Sequence, residues 1–452
     1  MDSPHHISKC HAELMLAVAA LGGDAASPRL VDMAELVIQS MSGPWRSFHT
    51  PEHIFEVGAG GAPVEVVAAL FHDVVYVQVD SGIPVNLARH LAPFVRENAQ
   101  GLVIDPMDDA PAEDLELVMT LFGFERGQVL PLVAGLNEFL SALLAVRVLE
   151  GVLPKAVCAQ IAACIEATVP FRSVQPDGKS CSQGLLERLT LANKNHALGL
   201  DDASCMETVR MGVRVANRDI GNFASEHPRE FLNNTWNLIP ETHHDLANIH
   251  TYTVKGYRIS LQKMEGFLGF LQPPAVFRQF AQEPSDPEHQ RRLGLTSRNL
   301  EVARLYVRLK LLSIALLESL SQSLGEQVAL SSIMGKLPGK VDFPIQFENY
   351  LPRIASPYPA QNEHELIVMD LLETGRSADS VHDARHSPVA SYLVKSMGIL
   401  VCMQLLEQAR GFFAGKLSGE ALLSHAPPDV VQGLRGAMAQ VFERRAEVFK
   451  AA

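Results

Sequence analysis

The run Pro63-Val-Glu-Val-Val-Ala-Ala-Leu-Phe-His72-Asp73-Val-Val-Tyr76, wound as a helix, carries apolar residues around almost its whole circumference: Val64, Val67, Leu70, Phe71 and Val74. Pro63 suits the first helical position. A helix that is apolar on all sides is buried. Burying an adjacent His and Asp costs several kcal/mol unless something compensates the charge. A metal ion bound by both would do so, and so would a hydrogen-bonded His72–Asp73 pair in the core.

Helical periodicity continues on both sides of this run. Leu132, Leu136, Leu140, Leu143 and Leu144 form one apolar stripe; Leu305, Leu309, Leu312, Leu316 and Leu320 form a second. Val389, Leu393, Met397 and Leu400 form a third. Period-2 alternation is scarce, with Val74–Val79 the best strand candidate, and even that run can end a helix. The expected class is all-α. At 452 residues the chain fits two or three domains. Prolines 273, 274, 284 and 287, with charged neighbours, place a boundary between Gln272 and Leu295. The expected domains are residues 1–272 and 295–452. A second irregular, proline-rich stretch runs from Lys336 to Pro359.

Apolar residues make up 47% of the chain and charged residues 20%, which excludes a disordered or collagen-like polypeptide. A net charge of −13 argues against nonspecific nucleic-acid binding, which needs surplus positive charge. Six scattered cysteines without a CxxC argue against a disulfide framework or thiolate zinc site and point to a reducing compartment. No signal peptide is evident in Met1–His11, and charged residues interrupt the most apolar region, Val129–Cys164. The expectation is a cytoplasmic protein without a membrane anchor.

Three further segments carry polar groups of interest. In Trp45-Arg-Ser-Phe-His49-Thr-Pro-Glu-His53-Ile, Thr50 and Pro51 are cap and first-turn residues. His53 therefore falls in a first helical turn, where the helix dipole favours neutral imidazole, and His49 lies just ahead of the cap. Taken singly, either is equally a surface histidine. In Ala216-Asn-Arg-Asp219-Ile-Gly-Asn-Phe223, Asp219 sits at the edge of the core stripe Val209, Val213, Ala216, Ile220 and Phe223. A carboxylate there needs a cation, from a metal or from another helix, or else a capping role. Ile165-Glu-Ala-Thr-Val-Pro-Phe-Arg172 reads as an ordinary helix end before a proline. His196, His243, His244 and His250 read as surface histidines, and His382-Asp383 as a capping or turn pair before Pro388.

Together the segments resemble the HD-domain superfamily of metal-dependent phosphohydrolases, over roughly Ser42–Leu271. RSFHTPEHI is similar to the RxYHxxxHI opening of small bacterial members, and ALFHDVVY to their ALxFHDxVY helix. IEATVPF and ANRDIGNF resemble the threonine turn and aspartate helix of the superfamily, including its cyclic-nucleotide phosphodiesterase branch. The resemblance implies an HD-type helical bundle, with inserted helices around Asp105–Cys158, followed by a C-terminal helical region of no recognised family. It implies His53, His72, Asp73 and Asp219 as metal ligands, and Asp73 and His49 as catalytic residues, with His49 as general acid. Two imidazoles and two carboxylates suit Mn²⁺, Mg²⁺, Fe²⁺, Ni²⁺ or Zn²⁺. One ion is expected, and a second could share Asp73 as a bridge. The implied activity is hydrolysis of a phosphate ester or anhydride of a nucleotide or related metabolite, by metal-activated water. The small phosphorylated substrate is the expected partner, and assembly into an oligomer stays open. A rival from another class is a catalytically silent HD-fold protein with a structural metal, whose C-terminal helices bind a partner.

Overall fold

The computed structural model describes residues 3–105, 113–132, 134–172, 174, 177–247, 252–322, 347–355, 357–380 and 382–442. Half of Lys336–Pro359, including residues 336–346, and all of His250 lie outside them. The α-helices are α1 (Ser3–Ala20), α2 (Arg29–Met41), α3 (Pro51–Gly58), α4 (Pro63–Phe71), α5 (Val77–Asp80) and α6 (Val85–Leu91). A hairpin of β1 (Val95–Asn98) and β2 (Gly101–Ile104) precedes α7 (Glu113–Phe122), α8 (Leu136–Leu149), α9 (Lys155–Thr168), α10 (Cys181–Asn195) and α11 (Asp202–Asp219). Then come α12 (Pro228–Thr242), α13 (Val254–Phe270), α14 (Pro273–Val276) and α15 (Asp286–Gln322). The last are α16 (Glu363–Thr374), α17 (Pro388–Phe413), α18 (Gly419–Ser424) and α19 (Pro428–Val441). Among the described residues the protein is all-α apart from the hairpin, whose antiparallel register pairs Val95 with Ile104 and Asn98 with Gly101. Val74–Val79 is not a strand; it forms a turn leading into α5.

The chain forms two compact units, Met1–Gly221 with Gln272–Gly294, and Asn222–Leu271 with Leu295–Ala452. This differs from the division expected from the prolines. Residues 272–294 are not a linker but are fastened to the first unit. Asn217 on α11 accepts from the backbone N–H of Arg278 at 3.0 Å and donates to its carbonyl at 2.9 Å. The Arg278 guanidinium donates to the carbonyls of Ala167 and Val169 at the end of α9. Arg214 on α11 reaches Glu283 at 3.2 Å. Residues 222–271, in turn, are bound within the second unit. Asn299 donates to the carbonyls of Phe223 and Ser225, and Arg258 pairs with Glu318 at 2.7 Å.

In the first unit the apolar faces of α1, α2, α4, α7, α8, α9 and α11 share one core. The stripe of α8 runs from Leu136 to Leu144, all buried, while Leu132 lies ahead of the helix and is exposed. α11 packs against α9 through Gly212, where a Cβ would come within 2.8 Å of the Ala167 Cβ. In the second unit α15 carries the long leucine stripe, buried from Leu309 to Leu320. Among the described residues α17 is long and apolar enough to cross a membrane by length and composition, although 56% of its most apolar window is buried inside the protein. The helix is also broken at Gly398, where φ is 77°.

Gly212→Val should therefore destabilise the first unit by about 1–3 kcal/mol, because the added methyls have only the α9 backbone and Ala167 to displace. The lowered denaturant midpoint is the measurement. An unchanged midpoint would mean that α9 and α11 are free to separate.

Candidate metal centre

Four side chains from three separate segments converge in the first unit. His53 comes from the first turn of α3, His72 and Asp73 from the turn that ends α4, and Asp219 from the last residue of α11. One ligand atom from each lies within 4.8 Å of the other three, so the group could hold a metal ion. The doublet expected on a buried helix thus sits at its C-terminal end, where the chain turns and both side chains can point the same way.

Each ligand has a local reason for its position. The His72 Nδ1 lies 2.8 Å from the Ala69 carbonyl, which can only accept, so Nδ1 carries a proton and Nε2 is the nitrogen left to face the cluster, with a lone pair whenever the ring is neutral. That Nε2 is buried and, although 3.0 Å from Asp73 Oδ2, makes no hydrogen bond. A lone pair there, aimed at two carboxylates, calls for added positive charge, either a proton or a metal ion. The His53 Nε2 lies 3.0 Å from Asp219 Oδ1 and 3.4 Å from Asp73 Oδ2. Its ring packs against Phe48, with centroids 5.2 Å apart.

The backbone of the doublet is held by Arg46, a buried residue that the sequence reading quoted without a role. Its guanidinium donates to the Asp73 carbonyl at 2.7 Å and the Val74 carbonyl at 3.2 Å, and pairs with Asp80 at 2.7 Å. Asp219 is positioned by the rest of its helix. The buried Glu65 on α4 receives Arg214 at 2.7 Å and Arg218 at 2.8 Å, and Arg218 also donates to the Val57 carbonyl of α3. These bonds draw α11 onto α3 and α4, which carry the histidines.

The electrostatics report the same unmet demand. Burial alone would lower the His53 pKa, but hydrogen bonding to Asp219 and Asp73 outweighs it and holds the imidazole at about 9. His72 is likewise raised against its burial by the charges of Asp73 and Asp219. Burial would raise both carboxylates; the charge of His72 and hydrogen bonding from His53 instead hold them below their ordinary range. Protons on the histidines thus stand in for positive charge that a divalent ion would supply in full. Two neutral imidazoles and two carboxylates match such an ion in number, type and net charge.

Around this centre His49 lies with Nε2 4.0 Å from Asp73 Oδ2, its ring between Phe48 at 4.9 Å and Tyr76 at 4.5 Å. It is beside the ligands without being one of them. Glu138, in the first turn of α8, was missed. The neighbouring Asn137 and Ser141 accept the backbone N–H groups of Val77 and Val75 at 3.0 and 3.1 Å, which sets this turn against the segment that follows Asp73. Burial pushes the Glu138 carboxyl up to about 7, with the charges of Asp73 and Asp219 adding to it against the pull of Arg172. The only sequence signal was a lone acid within the apolar run from Leu136 to Leu149.

The Ile165–Arg172 segment is more than a helix end. Glu166 is buried and pairs with Arg172 at 2.5 Å and Arg188 at 2.6 Å. Thr168 bonds the Ile165 carbonyl within its own helix. His196 ends α10 outside the cluster, and His243 and His244 belong to the second unit.

Asp73→Ala and His72→Ala should each abolish metal retention, read by elemental analysis of purified protein, and Arg46→Ala should weaken it about 10–100-fold through loss of ligand orientation. Metal content unchanged in Asp73→Ala would overturn the site. A second expectation concerns pH in the metal-free protein. Glu138 ionises near 7 when folded but near about 4.3 when unfolded. A raised pKa favours the folded state fully below the lower value, and that contribution is lost as pH climbs through the higher one. Glu138→Gln should therefore gain stability relative to wild type between about pH 4.3 and 7. Denaturant midpoints taken across that window are the check.

No family model matches the chain, and comparison with curated proteins and with solved structures finds no similar protein.

Proposed function

We propose that the protein is a metal-dependent phosphohydrolase of the HD type, cleaving a phosphate ester or anhydride of a nucleotide or related metabolite. The observation that carries this reading is the unpartnered His72 Nε2 facing Asp73, Asp219 and His53 within one buried cluster. The motif resemblance in RSFHTPEHI, ALFHDVVY and ANRDIGNF supplies the reaction class. Six buried cysteines outside any disulfide fit a reducing, cytoplasmic setting.

His53, His72, Asp73 and Asp219 would hold the ion. When bound, a divalent metal polarises a phosphoryl oxygen and lowers the pKa of water. The chain's own residues account for the remainder. Arg46 keeps the Asp73 backbone fixed, so the carboxylate meets the site without reorganising. His49, 4.0 Å from Asp73 and ahead of the α3 cap, would hand a proton to the leaving oxygen. Glu138, its carboxyl pushed up to about 7, carries only part of a negative charge near neutral pH, which lessens repulsion of an anionic substrate.

The test is turnover of nucleotides, cyclic nucleotides and simple phosphate esters by metal-loaded protein, with Asp73→Ala as the blank. A metal-loaded, folded protein that is inert on all of them would support the silent, partner-binding alternative. His49→Ala should retain metal but lose about 10²–10⁴-fold in rate on alkyl esters. Esters of p-nitrophenol, whose leaving group needs no proton, should suffer much less. Equal losses on both substrates would remove the acid role from His49.

A further inference from the structure

Asp219 is the last residue of α11, and the first unit breaks off just beyond it, at Gly221. A ligand in that place has no helix continuing past it to keep it still. The last carbonyls of a helix lack partners within the helix, and final turns fray unless other groups hold them. Arg218 holds one side of this turn, through Glu65 and the Val57 carbonyl. The other side is held from 61 residues further along the chain.

Asn217, in the same turn as Asp219, is 3% exposed. Its side-chain oxygen accepts from the Arg278 backbone N–H at 3.0 Å, and its amide nitrogen donates to the Arg278 carbonyl at 2.9 Å. A backbone N–H only donates and a carbonyl only accepts, so both ends of the Asn217 amide are used and its orientation is fixed. The Arg278 guanidinium donates in turn to the carbonyls of Ala167 and Val169. These lie at the C-terminal end of α9, where unpaired carbonyls and the helix dipole favour a cation. One residue therefore ties together the ends of α9 and α11.

The segment that carries Arg278 is itself anchored. Val276 and Phe277 are buried, Arg210 donates to the Ala281 carbonyl at 2.8 Å, and Arg214 pairs with Glu283 at 3.2 Å. Arg210, Arg214 and Asn217 stand at i, i+4 and i+7, so residues 272–294 follow one face of α11 up to the turn that bears the ligand.

We propose that Asn217 and Arg278 are positioning residues of the metal centre, which keep Asp219 Oδ1 at 3.0 Å from the His53 Nε2 and 3.4 Å from the His72 Nε2. The proposal rests on the metal-binding reading of the four-residue cluster. Residues 272–294 then set how tightly the ion is held, although they supply none of its ligands. Without the Asn217 amide, the last turn of α11 is held on one side alone, and the Asp219 carboxylate must be ordered each time an ion binds.

The test titrates Co²⁺ into the metal-free whole chain, reading its visible absorption, which reports ligand number and geometry. A denaturant midpoint is taken for each variant. Asn217→Ala should weaken Co²⁺ binding about tenfold and change the absorption spectrum. Arg278→Met should do the same, and Arg278→Lys, which keeps a donor for one of the two carbonyls, should recover part of the affinity. Should Arg278→Met not fold, Asn217→Ala decides, since the other anchors of the segment remain. Gln160→Ala is the control. It removes a 2.8 Å bond from α9 to Thr208 of α11, about three turns from Asp219, and should lower the midpoint while leaving affinity and spectrum unchanged. Wild-type affinity and spectrum in Asn217→Ala, with Co²⁺ binding lost in Asp73→Ala, would overturn this proposal and leave the four ligands standing. A wild-type chain that binds no Co²⁺ would overturn both. An equal loss of affinity in Gln160→Ala would overturn the role of Asn217, because helix packing in general would then set the site.

Discussion

Two carboxylates, Asp73 and Asp219, face the same small volume inside the first unit, and much of the local architecture exists to bring them there. Like charges at such a distance separate unless something positive lies between them. The protein nevertheless uses arginines to force the approach. Glu65 is gripped by Arg214 and Arg218, which sets α11 against α4, and Arg46 fixes the backbone of the other carboxylate from the opposite side. None of these cations reaches the ligand oxygens themselves. The positive charge that belongs between them is left to the imidazoles or to an ion.

This arrangement separates holding from binding. The arginine pairs are satisfied within the protein, each acid meeting a guanidinium with good geometry, so they serve as fixed scaffolding. The four ligand atoms are satisfied only by one another and imperfectly, as the orphaned His72 nitrogen shows. A site whose supports are complete and whose centre is not is organised for an occupant before the occupant arrives.

The helical class and the four residues that cluster were legible because each has a local signature. Apolar periodicity marked α8, α15 and the start of α17, and the anomaly of a His-Asp pair after an apolar helix marked the doublet. What was not legible depended on partners far away in the chain. Arg46 and Arg218 look like any surface arginine until the carbonyls of Asp73 and Val57 are seen beneath them. Glu138 was read as an interruption of an apolar run, since nothing local says that two carboxylates lie across from it. The hairpin at Val95–Ile104 is too short for alternation to show. The Gln272–Leu295 prolines were read as a boundary because proline forbids helix continuation, yet a strap held by side chains needs no helix. The His382-Asp383 pair reads as a capping or turn pair from its neighbours alone, although its setting is built from α12, α13, α15 and α16–α17 loop residues that sequence neighbours do not disclose.

That strap has a bearing on how the molecule is made. The first unit is not finished at Gly221; it needs Arg278 and its neighbours to close the end of α9 and the side of α11. By the time those residues leave the ribosome, Asn222–Leu271 has already emerged as an incomplete fragment of the second unit, its long partner helix not yet synthesised. The two units are therefore interleaved in synthesis although each is compact by itself. A nascent chain must shelter an unfinished apolar piece of one while it completes the other.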